Sequence, residues 1–75
     1  MNTYFVVQHG SEMDRILFET DSIKAAKAWA TRKRYYLGRL RVPDIYIRLL
    51  DGRVELAAFG EYQRHTGRTK WVDVY

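Results

Sequence analysis

The residues able to do chemistry in this 75-residue chain are few and scattered. Its only histidines are His9 and His65, and neither has a second histidine at the helical or turn spacing of a metal site. His9 reads as a strand residue beside a turn and His65 as a solvated loop residue. Cysteine is absent, which removes thiolate zinc sites, disulfides and thiol nucleophiles. Ser11 falls in a hairpin loop and Ser22 just before a helix, where capping is the commoner role, and neither has an evident base. Most carboxylates sit at turns and strand ends, with Asp51 accounted for by turn chemistry. No glycine-rich loop precedes a helix to cradle a phosphate. The expectation is a protein without catalytic residues, metal or cofactor.

Charge is the stronger signal. The net charge of +4 divides unevenly along the chain. Residues 1–21 carry Glu12, Asp14, Glu19 and Asp21 against Arg15, a net of −3. Residues 22–43 carry Lys24, Lys27, Arg32, Lys33, Arg34, Arg39 and Arg41 with no acid, a net of +7, and residues 44–75 are balanced. A cationic middle beside an acidic start suits an anionic partner, either nucleic acid or an acidic protein surface, although a solvated cationic helix would look the same.

Three candidate contact regions follow. The first is the outward helix face with Lys24, Lys27 and Arg34, continued by Arg39 and Arg41, which could meet phosphates or acidic side chains. The second is an outer sheet face with Tyr46, Arg48 and Arg53, joined by Trp71 and Tyr75 if Val72 and Val74 point inward. Aromatics beside arginines on a sheet can stack bases or anchor a protein interface, and Trp71 with Phe59 could equally complete a small core. The third is a basic loop across residues 62–70 carrying Arg64, Arg68 and Lys70, which as a surface loop needs no partner.

The elements that must position these residues are legible from pattern. Tyr4-Phe5-Val6-Val7-Gln8-His9 and Arg15-Ile16-Leu17-Phe18-Glu19-Thr20 are β-rich runs around a polar loop, a first hairpin. Thr20-Asp21-Ser22 offers cap oxygens to a helix that begins at Ile23 and ends at Gly38. Ile23, Ala26, Ala30 and Leu37 form its core stripe, with Ala25, Trp29 and Tyr36 at the edge. Lys24, Lys27, Thr31, Arg34 and Tyr35 take the other side. Pro43 disfavours helix at Val42. Two runs around Asp51-Gly52 then predict a hairpin with a two-residue turn. In that register Ile45, Ile47, Leu49, Val54, Leu56 and Ala58 face the helix. Tyr46, Arg48, Leu50, Arg53, Glu55, Ala57 and Phe59 take the opposite face, where Arg48 meets Glu55. A polar stretch over residues 61–69 leads to a final strand from Lys70 to Tyr75.

The expected fold class is α+β, a single antiparallel sheet of about five strands packed on one helix in the order ββαβββ, as one domain over residues 1–75. A chain this short buries only about 60 to 65% of its unfolded surface. The start Met1-Asn2-Thr3-Tyr4 lacks a basic segment followed by an apolar one, and no apolar run reaches the roughly 20 residues of a membrane helix. The expectation is therefore a cytoplasmic protein with no membrane partner, a monomer or weak dimer.

The succession Ser22-Ile23-Lys24-Ala25-Ala26-Lys27-Ala28, Asp51-Gly52-Arg53-Val54-Glu55-Leu56-Ala57 and Lys70-Trp71-Val72 resembles small phage-encoded anti-CRISPR proteins of the ββαβββ kind. The likeness spans most of the chain, while the basic stretch 64–70 is longer than that family's connection. The resemblance implies an inhibitor in the host cytoplasm that binds subunits of a type I CRISPR effector complex and sterically blocks target DNA. Such channels are basic, so the acidic Glu12, Asp14, Glu19 and Asp21 would suit the contact better than the helix. The alternative is a basic nucleic-acid-binding module using the helix face or the aromatic sheet face.

Overall fold

The computed structural model describes residues 2–10, 12–33 and 42–75. Strands β1 (Thr3–Gln8) and β2 (Arg15–Thr20) pair antiparallel as the first hairpin. Ser22 then starts helix α1 (Ile23–Lys33). Its Oγ accepts from the Ala25 amide at 3.2 Å and its carbonyl from the Ala26 amide at 3.0 Å, so Ser22 caps the first turn as its side-chain type dictates. Strands β3 (Asp44–Arg48), β4 (Val54–Gln63) and β5 (Arg68–Asp73) follow. The five strands form one antiparallel sheet in the order β2-β1-β3-β4-β5, with α1 on one face, an α+β fold of order ββαβββ. Arg34, Arg39 and Arg41, together with Tyr35, Tyr36, Leu37 and the expected helix stop at Gly38, lie outside the described residues, as does Ser11.

Small side chains let the helix approach the sheet closely. Ala26 and Ala30 are fully buried against Val6, Ile45, Ile47 and Ala58, a close-packed layer in which each lost methylene is felt. One flank of α1 reaches β2, where the Trp29 ring stacks on Phe18 with centroids 4.9 Å apart. The other flank reaches β5. Lys27 Nζ meets Asp73 Oδ1 at 2.6 Å, and Trp71 Nε1 donates to Thr31 Oγ1 at 3.1 Å. Two expectations for the helix therefore change. Lys27 is tied to β5 rather than displayed outward, and Ala25 is exposed rather than at the edge of the core.

The central hairpin departs from the expected register. Leu49 donates its amide to the Arg53 carbonyl at 2.8 Å, and Gly52 donates to the Leu49 carbonyl at 2.9 Å, so the connection has three residues, 50–52. Gly52 takes φ 91°, the left-handed value that closes such a loop. The extra loop residue moves every partner by one. Arg48 lies opposite Val54, Ile47 opposite Glu55 and Tyr46 opposite Leu56. Val54 and Leu56 therefore face away from the helix, Glu55 faces it, and the predicted Arg48–Glu55 pair does not form. Arg53 follows Leu49 to the helix side, with its Nε on Asp51 Oδ2 at 2.7 Å. A second irregularity between Ile45 and Tyr46 places Ala58 opposite Ile45, back on the helix side as expected. The inserted residue is Ala57, which is buried beside Ala58 rather than turned outward.

The last hairpin is longer than the polar composition of residues 61–69 suggests. β4 continues through Gln63 and β5 begins at Arg68, leaving a turn at 64–67. Gly67, at φ 69°, donates its amide to the Gln63 carbonyl at 2.8 Å. Arg68 is thus a strand residue opposite Gln63 rather than a loop residue, and Lys70, opposite Glu61, lies in the strand expected to begin there. Gly60 lies opposite Trp71, and a Cβ there would stand 2.5 Å from Val42 Cγ1 and 2.9 Å from Thr69 Cγ2. That close approach seats Trp71 on the helix side, correcting its placement on the outer face. Among the described residues no helix is long and apolar enough to cross a membrane.

Candidate binding surface

The face of the sheet opposite α1 is built by register. Val7 lies between Ile16 of β2 and Asp44 of β3; Phe5 lies between Glu19 and Tyr46, and Tyr46 lies beside Leu56; Thr3, Arg48 and Val54 make the next row. Residues directly opposite one another share a face, so these rows form a surface that α1 does not touch. A groove of about 320 Å3 runs across it, lined by Phe5, Val7, His9, Asp14, Ile16, Tyr46, Arg48 and Val54.

The groove is chemically polarised. At one end His9 stands between two carboxylates, with Nδ1 3.0 Å from Asp14 Oδ1 and Nε2 2.9 Å from Asp44 Oδ2. The Tyr46 hydroxyl is 3.2 Å from the same Nε2, and the two rings meet edge-on at 5.9 Å. Burial, reinforced by the Asp44 and then the Asp14 charge, pushes the Tyr46 phenol above its ordinary value of 10.0. In the middle, Phe5 and Val7 form an apolar floor, only 4% and 9% exposed, while Ile16 and Val54 at the rim are 63% and 55% exposed. At the other end the Arg48 guanidinium lies over the Phe5 ring, 4.7 Å from its centroid.

His9 has carboxylate partners, one from the start of β2's approach and one across the sheet on β3. They bracket the ring instead of converging on one point. Among the described residues no group of three or more histidine, aspartate or glutamate side chains is placed to hold a metal ion.

The other residues singled out in the sequence are dispersed. Tyr46 and Arg48 do share the groove, as expected. Lys24 is exposed on the helix, where Arg32, eight positions on, shares its free stripe through Ala28. Lys27 and Arg53 are each held by a carboxylate, and Trp71 is bonded to the helix. Arg64 lies in the distal turn with Arg68 and Lys70 just beyond it, at the end of the β4–β5 hairpin. Phe5, Val7, His9, Ile16 and Val54 were missed as contact residues, while Asp14 was named only as part of the acidic N-terminal third. The available signal was the run Tyr4-Phe5-Val6-Val7, apolar at odd and even positions alike, where a one-sided strand would alternate. No protein-family model, curated protein or solved structure matches this chain.

Proposed function

We propose that this protein is a non-catalytic binding protein of the inhibitor kind, which docks on a protein partner through the sheet face opposite α1. The observation that carries the reading is the groove on that face, with an apolar floor and exposed Ile16 and Val54 at its rim. A contiguous apolar surface rimmed by polar groups is characteristic of interaction sites. His9, bracketed by Asp14 and Asp44, closes one end of that groove. The resemblance in sequence makes a type I CRISPR effector complex the partner of choice, with target DNA excluded by occupancy alone.

The rival reading, direct binding of nucleic acid, draws on the cations, and two of these, Lys27 and Arg53, are already paired within the chain. Immobilised type I effector complexes, challenged with the purified protein and then with labelled target DNA, separate the two. Capture of the protein with loss of DNA binding is the expected result. Absence of capture across the subtypes, together with a salt-sensitive mobility shift of random DNA by the protein alone, would overturn the proposal in favour of its rival.

A further inference from the structure

The register shift in the central hairpin leaves a cation without the anion that its sequence neighbourhood supplies. With a two-residue turn Arg48 would face Glu55; the three-residue turn gives it Val54 instead and carries Glu55 to the helix side. Among the described residues no carboxylate lies within ion-pair distance of Arg48, whose contact is the ring of Phe5. Its side chain is exposed and forms one end of the groove. The carboxylates at the opposite end, Asp14 and Asp44, are occupied by His9. The groove therefore offers an apolar trough with an unpaired cation, the Arg48 guanidinium, at the end away from His9.

We infer that the groove takes an extended segment of the protein partner in which an apolar side chain is followed by a carboxylate, the apolar group seated between Ile16 and Val54 and the carboxylate on Arg48. This inference rests on the docking face proposed above and specifies what that face recognises. A guanidinium held over an aromatic ring still has N–H donors for a bidentate carboxylate contact, which a lysine could not reproduce. The floor contributes affinity through burial, and Arg48 contributes the choice between partners.

The test uses two capped tetrapeptides, one with adjacent leucine and aspartate and one with leucine and lysine, titrated at millimolar concentration into the 15N-labelled protein. The leucine–aspartate peptide should shift the amide signals of Phe5, Val7, Ile16 and Tyr46. It should bind about three- to fivefold more tightly than the leucine–lysine peptide, the range of a solvent-accessible ion pair. Arg48→Gln, a change at an exposed position, should abolish that preference while leaving the spectrum of the folded protein intact. Equal binding of the two peptides, or a preference that survives Arg48→Gln, would overturn the carboxylate assignment and leave the docking face standing. Failure of both peptides to move groove signals overturns it too, and the docking face is then judged by capture of the effector complex. Signals at Ile16 and Val54 that shift with protein concentration alone would identify a second copy of the chain as the occupant, contradicting the inference.

Discussion

The two faces of the sheet use the same strands and do different work. On the helix side, Val6, Ile45, Ile47 and Ala58 meet Ala26 and Ala30, all at most 1% exposed, with no polar side chain buried among them. On the other side Phe5 and Val7 are nearly as buried, yet their neighbours Ile16 and Val54 stay more than half exposed and a histidine set between two carboxylates closes one end. A face built only for stability would be closed like the first, and a face built only for solubility would be polar. The mixture on the second is what a contact surface requires: apolar area to bury and a few oriented charges to select the partner.

The contrast can be broken by substitution. The largest effect is expected on the covered face, where Ile45→Ala should lower the free energy of unfolding by about 2 to 5 kcal/mol, read from urea denaturation. Ile16→Ala on the uncovered face should change it by no more than about 0.5 kcal/mol, as for other surface sites; a comparable loss at both positions would mean that the two faces do not differ. Gly60→Ala should cost about 1 to 3 kcal/mol, because the new methyl would press on Val42 and disturb the seat of Trp71.

Gly52→Ala should cost about 1 kcal/mol through its positive φ, with open space around the added methyl. A stabilising effect there would show that the three-residue turn, and with it the outward placement of Val54 and Leu56, is wrong. Tyr46 supplies a pH signature confined to the uncovered face. Its phenol ionises above its ordinary value in the folded protein, so the unfolded chain loses the proton first as pH rises. Stability relative to Tyr46→Phe should therefore be level below about pH 10 and fall above it. A difference between the two proteins that stays flat through pH 11 in chemical denaturation would contradict the burial of this hydroxyl beside Asp44 and Asp14. The smallest effect belongs to the helix flank, where Lys27→Ala should remove about 0.2 to 1 kcal/mol with its partly exposed ion pair.

Element order and the helix start were readable because they rest on local signals: β-branched runs, the Ser22 cap and the alanine stripe. The faces of β4 were not. Asp51-Gly52 suits both a two-residue turn and the end of a three-residue one, and that single residue decides whether Val54 or Glu55 stands opposite Arg48. Trp71 was misplaced for a related reason, since Gly60 gives no sign in the sequence that it makes room for an indole against the helix. The charge reading misjudged Lys27, whose partner Asp73 is forty-six positions away. The groove itself joins residues of four strands and a loop, brought together by pairings that no local spacing encodes.

The most direct test of the uncovered face as the contact surface compares two double variants for capture by the effector complex. Ile16→Asp with Val54→Asp places charge on the groove rim, and Lys24→Glu with Arg32→Glu reverses the free stripe of the helix. Both pairs are at exposed positions, so circular dichroism should report the native fold for each. Loss of capture with the groove variant and retention with the helix variant is the result expected here. The reverse pattern would place the contact on α1 and refute the docking face.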